Sequence, residues 1–134
     1  MPDFHAVTEA FAVSPQITVA DVAAAQAQGF TLIINNRPDG EAAGQPSGAE
    51  IEAEARARGL DYTHVPVVGR PTDDQVRAVD TAVRGAGGKV LAYCRSGTRS
   101  IVTWALGQQA SGGLNRQALI ERGHAAGYDL STVL

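Results

Sequence analysis

One segment of this 134-residue chain gathers the residue types that nucleophilic chemistry needs. Tyr93-Cys94-Arg95-Ser96-Gly97-Thr98-Arg99-Ser100 holds the sole cysteine, two arginines, three aliphatic hydroxyls and a glycine. An apolar run, Val90-Leu91-Ala92-Tyr93, precedes the cysteine and reads as a short buried strand. Ile101-Val102-Thr103-Trp104-Ala105-Leu106 follows and reads as the start of a buried helix. A strand that passes into a helix through a small glycine-bearing loop makes an anion site. The loop amides can converge on one centre, and the first helical turn adds unpaired N–H groups and the positive end of the helix dipole. The same field favours the thiolate, which is the nucleophilic form of Cys94.

Each residue of the segment offers a definite service. Cys94 as thiolate can attack a phosphorus or a sulfur atom. The planar fork of Arg99 can hold two oxygens of a tetrahedral anion and stabilise charge that grows in the transition state. Gly97 permits a turn that points an N–H inward. Ser100 can donate to the sulfur and make it a better leaving group. Ser96 and Thr98 brace the loop or face solvent, and Arg95 points outward to attract anions. A buried structural cysteine beside a solvated turn is the plainer alternative, since most cysteines pack as small hydrophobes. The combination strand, Cys-x-x-Gly-x-Arg-Ser, helix favours the functional loop.

The elements that must position this loop are legible from periodicity and caps. Short apolar pieces over residues 4–13 predict one or two edge strands. Thr18 with Asp21 predicts a helix N-terminus, and the helix runs over 19–28 to Gly29. Phe30 through Asn36 is a strand buried on both faces, as in a parallel sheet. Residues 37–46 form a surface loop. Ser47 with Glu50 caps a helix over 48–58, and Leu60 through Val68 is strand-like, with Pro66 near its end. Thr72 with Gln75 caps a third helix, 73–85, whose Val76, Val79, Ala82 and Val83 share a face. The strand 89–93, the cysteine loop, and helices over 99–110 and 115–126 follow, and residues 128–134 are a loosely packed tail. This alternation predicts a single α/β domain over 1–134, a central mostly parallel sheet flanked by helices. In such sheets ligands sit at the carboxyl ends of strands, where Cys94 lies.

The bulk composition narrows the function. Charged residues make up 19% of the chain, hydrophobic residues 44%, and the formal net charge is −3. A mildly acidic chain is neither a general nucleic-acid binder nor a binder of anionic membranes. One cysteine leaves no disulfide framework and no Cys-x-x-Cys zinc site. His5, His64 and His124 have no ligand-like spacing. The first residues lack the pattern of a signal peptide and no apolar run reaches membrane-spanning length, so the expected compartment is the cytoplasm. The sequence sets no oligomeric state.

The segment resembles two families of cysteine enzymes. Protein tyrosine and dual-specificity phosphatases carry Cys-x5-Arg-Ser/Thr with a glycine three residues after the cysteine; Cys94, Gly97, Arg99 and Ser100 match in type, with one residue fewer between cysteine and arginine. Rhodanese sulfurtransferases often carry Cys-Arg-x-Gly-x-Arg, and residues 94–99 fit that spacing. The rhodanese segment Gly-His-Ile-Pro-Gly-Ala is absent. Ile33-Ile34-Asn35-Asn36-Arg37, the capped helix after it and Tyr62-Thr63-His64-Val65-Pro66-Val67 look like a dual-specificity phosphatase scaffold over roughly residues 14–110. The chain is most similar to a small bacterial family, the phosphatase-like domain also found at the front of beta-lactamase hydrolase-like fusion proteins.

The resemblance implies a hydrolase of phosphate monoesters, phosphotyrosine or aryl phosphates among them. Its intermediate would be a phosphocysteine on Cys94, with no metal or cofactor. The alternatives are a sulfurtransferase carrying a persulfide on Cys94 and a non-catalytic anion-binding domain. Its partner is accordingly a phosphorylated or a sulfur-donor substrate.

Two departures from the family pattern stand out. The loop Val68-Gly69-Arg70-Pro71, where such phosphatases keep an aspartate general acid, holds none, so Asp73 and Asp74 are the acid candidates. Tyr93 replaces the histidine that commonly precedes the cysteine. Asn36 and Arg37 follow a buried strand at the sheet edge expected for Cys94. Arg37 either reaches the anion or pairs with Asp39 or Glu41, the latter being favoured. His64 and Trp104 read as scaffold and core, and Arg70 either meets an anionic substrate or is solvated.

Overall fold

In the computed structural model, which describes residues 2–134, five strands form one sheet in the order β1-β2-β5-β3-β4. Met1, with which the expected domain begins, lies outside the described residues. The strands are β1 (His5–Ala6), β2 (Phe11–Ser14), β3 (Phe30–Asn35), β4 (Asp61–His64) and β5 (Lys89–Tyr93). The helices are α1 (Val19–Ala27), α2 (Gly48–Ala57), α3 (Asp73–Gly85), α4 (Thr98–Ser111) and α5 (Arg116–Ala126). β5 pairs in parallel with β2 and β3, and β3 pairs in parallel with β4; β1 alone is antiparallel. The sheet is therefore the mostly parallel α/β layer that the alternation predicts.

β5 is central because its sequence can be buried on both faces. Successive strand residues point to opposite sides. Val90 and Ala92 join the core formed with α3, α4 and α5, whereas Leu91 and Tyr93 join the core formed with α1 and α2. Each large aliphatic side chain so buried contributes about 1.5–3 kcal/mol. Trp104 packs in the first core, stacked on Phe11 with ring centroids 4.8 Å apart.

The helix starts follow from the caps. Thr18 with Asp21 and Thr72 with Gln75 make both reciprocal bonds of a capping box. Ser47 accepts from the Glu50 N–H, the forward half of the pattern.

The register aligns the carboxyl ends of the parallel strands. Ser14 and Asn35 both pair with Tyr93, and Asn35 pairs with His64. The segments that leave β2, β3, β4 and β5 thus emerge side by side.

Three expectations need correction. β2 is an interior strand, with all four residues buried between β1 and β5; the polar turn Thr8-Glu9 that separates it from β1 hid its length. Strand geometry after Leu60 ends at His64 rather than Val68, because Pro66 has no N–H for the ladder. The Val65 and Val67 N–H groups still reach the Asn35 and Asn36 carbonyls. The C-terminal segment is not loose: Leu130 is 1% exposed and packs on Gly123, and Arg116 donates to the Ser131 and Leu134 carbonyls.

Candidate functional site

Cys94 leaves β5 at the aligned strand ends and is 0% exposed. Its Sγ accepts a hydrogen bond from the Gly97 N–H at 3.1 Å. Gly97 has φ 92°, the left-handed region that glycine enters without steric penalty, and no side chain caps α4. The Thr98 N–H leans on Ser96 Oγ at 3.4 Å, and the Arg99 and Ser100 amides of the first turn are left for a ligand. Arg95 and Ser96 are exposed. The Ser96 hydroxyl donates to Thr98 Oγ1 at 3.0 Å, so these two side chains brace the loop.

Arg99 lies beside the sulfur and is held from behind by Glu41. One Glu41 carboxylate oxygen accepts from Arg99 Nη1 at 2.8 Å and the other from Nη2 at 2.9 Å. The Val67 carbonyl accepts a further Nη1 hydrogen at 2.8 Å. A guanidinium has five N–H donors, so the Nε–H and one Nη2–H remain for an anion. Hydrogen bonds to Glu41 raise the pKa of Arg99 above its ordinary range, and negative charge at Cys94 adds to the shift.

Glu41 is itself clamped twice. Arg37 Nε donates to the same carboxylate at 2.8 Å, and hydrogen bonds from Arg99 and Arg37 lower the Glu41 pKa to about 2. Arg37 is 4% exposed and also donates to Gln16 Oε1 at 3.0 Å, while His64 Nε2 donates to its carbonyl at 2.9 Å. Of the two roles open to Arg37, the structure shows the pairing with Glu41. His64 braces the same turn. Sequence reading placed Glu41 only as a partner for Arg37. The distance in sequence between Glu41 and Arg99 hid the second bond, although acids after one parallel strand and arginines after its neighbour were the available signal.

Ser100 takes a different partner from the one expected. Its hydroxyl proton goes to Asn36 Oδ1 at 2.8 Å, not to the sulfur, and Asn36 Nδ2 donates to the Val65 carbonyl at 2.9 Å. All three residues are buried. This chain ties the start of α4 to the segments leaving β3 and β4.

Asp74 is ion-paired with Arg77 on the outer face of α3. Asp73 lines a cavity with Arg70, Pro71, Leu106 and Gln109. Arg70 also lines a cavity of about 250 Å³ with Pro71, Thr98, Arg99, Val102 and Val133. Tyr93 turns into the core, and burial pushes its phenol far above the usual range. Among the described residues no three His, Cys, Asp or Glu side chains converge as metal ligands would. No helix among the described residues is long and apolar enough to cross a membrane.

Comparisons with known proteins agree with this geometry. A family model described as "Beta-lactamase hydrolase-like protein, phosphatase-like domain" matches residues 3–111. The beta-lactamase hydrolase-like protein of Agrobacterium fabrum is 37% identical over 125 residues, which is 92% of this chain and 29% of that protein. The chain thus spans under a third of the length of the curated relatives it matches. Among solved structures, a putative phosphatase from Neisseria meningitidis superposes with a TM-score of 0.86 at 32% identity, covering 98% of this chain and 94% of that one. TpbA of P. aeruginosa, solved as a cysteine-to-serine form in complex with pTyr, superposes at 0.68 with 17% identity over 94% of this chain and 75% of that one; at that identity the likeness is one of fold.

Proposed function

The chain belongs to the phosphatase-like domain family of beta-lactamase hydrolase-like proteins, and from that premise we propose that it hydrolyses phosphate monoesters through a phosphocysteine on Cys94. The observation that carries the reading is the placement of the buried Cys94 sulfur, 3.1 Å from the Gly97 N–H, at the uncapped start of α4 with Arg99 beside it. In the first step the thiolate attacks phosphorus, the S–P bond forms, and the ester oxygen leaves with its electron pair. The free Nε–H edge of Arg99 and the loop amides hold the equatorial oxygens. In the second step water attacks phosphorus, releases inorganic phosphate and returns the thiolate.

Substrate choice follows from the missing acid. Among the described residues neither Asp73 nor Asp74 hydrogen-bonds to the cysteine loop, Asp74 being ion-paired with Arg77, so the leaving group would depart unprotonated unless α3 shifts. Aryl phosphates, whose phenols leave easily, are the expected substrates. The pTyr complex of P. aeruginosa TpbA supports this class by fold likeness. Ser100 would assist the second step only after its hydroxyl turned from Asn36 to the sulfur. Arg95 and Arg70 would draw the anion in, and Glu41, Arg37 and Asn36 would keep Arg99 and Ser100 in place.

The loop spacing favours a second reading. With four residues between Cys94 and Arg99, the thiolate would instead take the outer sulfur of thiosulfate, release sulfite, and pass the persulfide sulfur to a thiophilic acceptor such as cyanide. Aryl phosphate hydrolysis and thiosulfate–cyanide transfer, measured side by side for wild type and Cys94→Ser, separate the two. Phosphate release that depends on Cys94 supports the proposal, and release that survives Cys94→Ser sinks it. Thiocyanate formation alone selects the sulfurtransferase. Sulfate or phosphate binding without turnover in either assay selects an anion-binding domain.

A further inference from the structure

The cysteine loop is gripped from outside by a side chain that its own sequence does not announce. Tyr128, in the segment after α5, donates its hydroxyl proton to the Ser96 carbonyl at 2.8 Å. The carbonyl of a trans peptide and the N–H that follows it point in opposite directions. Drawing the Ser96 carbonyl outward therefore turns the Gly97 N–H inward, where it meets Cys94 Sγ at 3.1 Å. Glycine populates left- and right-handed backbone regions with similar ease, so the Ser96–Gly97 peptide has little orientation preference of its own.

The ring is fixed independently of that bond. It packs edge-on against His5, with centroids 5.7 Å apart, and lies over Gly97 so closely that a Cβ there would strike the phenol oxygen and come within 3.0 Å of Cζ. Burial, with negative charge at Cys94 and Asp3 adding to it, raises the Tyr128 pKa above its ordinary range and so keeps the phenol a donor. Tyr128 also lies beyond residues 3–111, the span matched by the family model.

We propose that Tyr128 is a positioning residue that latches the Ser96–Gly97 peptide with its N–H on Cys94, so that the loop supports a thiolate and the oxyanion formed upon it. Its effect on turnover rests on the phosphatase reading; its effect on the sulfur does not. The charged or titratable groups facing Cys94 are Arg99 from α4 and Tyr128 from the C-terminal segment, with Glu41 and Arg37 behind Arg99.

Tyr128→Phe keeps the ring and removes the donor. The pH dependence of Cys94 alkylation by iodoacetamide should move to higher pH in this variant, by about 0.5–1 unit for one lost amide bond to the sulfur. The kcat for p-nitrophenyl phosphate should fall about tenfold with a small change in KM, since the lost amide serves the transition state more than the ground state. In the wild type the Gly97 amide resonance should titrate with Cys94, and in Tyr128→Phe that coupling should vanish. An unchanged alkylation profile with an unchanged Gly97 resonance overturns the latch, as does a shift to lower pH. A loss of activity that only tracks a lower melting temperature, with both titrations unmoved, overturns it too. If the wild type shows no phosphate release, the phosphatase reading fails, while alkylation and the Gly97 resonance still decide the latch. His5→Ala, which removes the ring's support while keeping the phenol, provides the second variant: a partial shift in the same direction is expected, and none counts against the latch.

Discussion

Arg99 and Glu41 show how one residue's charge is prepared by another. Three of five guanidinium donors are already committed, which fixes the plane of the fork before any ligand arrives. A lysine at this position has no planar fork, so Arg99→Lys should lower kcat/KM for an aryl phosphate by about 10²–10³ while leaving the melting temperature nearly unchanged. Glu41→Gln removes the carboxylate paired with the buried Arg37 and, with Glu41 itself exposed and screened by solvent, should cost about 1 kcal/mol by urea unfolding at pH 7. The pH dependence has a definite sign. The Glu41 pKa is lowered from 4.5 to about 2, so its stabilisation is fully present above about pH 4.5 and disappears as pH falls through 2. The stability gap between wild type and Glu41→Gln should therefore close over that window, and a gap that persists at pH 2 would contradict the clamp. That Cys94 and Arg99 would share one loop between a strand and a helix was legible in the sequence, because type and spacing suffice for it. Glu41 was half legible, since its second partner lies in a distant loop and only the fold brings the two together.

At the scale of elements, the helix starts were the clearest signals, because a cap is a local device written in four residues. Thr72→Ala should remove one such device and destabilise the protein by about 1 kcal/mol in denaturant unfolding. The start of α4 is built differently: glycine replaces a capping side chain, and beyond the Gly97 and Thr98 N–H groups, which reach Cys94 Sγ and Ser96 Oγ, the first-turn amides are open. Gly97→Ala would force a left-handed residue to carry a Cβ and push it into Tyr128, so we expect a loss of about 1–3 kcal/mol together with loss of anion binding by titration calorimetry. Retention of full sulfate affinity in that variant would show that the loop tolerates another path. The end of β4 was harder to read. Tyr62, Val65 and Val67 alternate as in a strand, yet Pro66 breaks the ladder between them, and only two isolated backbone bonds continue the pairing.

Across the whole molecule, the parallel α/β arrangement followed from the alternation of strand and helix, whereas strand order and the course of the last seven residues did not. Tyr128 and Leu130 stand alone among polar residues, and an isolated apolar side chain has no periodicity to reveal it. Leu130→Ala should cost about 3 kcal/mol by thermal or denaturant unfolding, a core-sized penalty from what the sequence presents as a tail. A cost below 1 kcal/mol would mean that the segment does not hold α5. Cys94 is the only thiol and has no exposed surface. A thiolate is the form that peroxide converts to sulfenic acid, and a neighbouring cysteine would ordinarily trap that acid as a disulfide. These 134 residues hold no such neighbour, so a sulfenic acid on Cys94 would be resolved by a thiol from elsewhere, and the buried sulfur favours a small one.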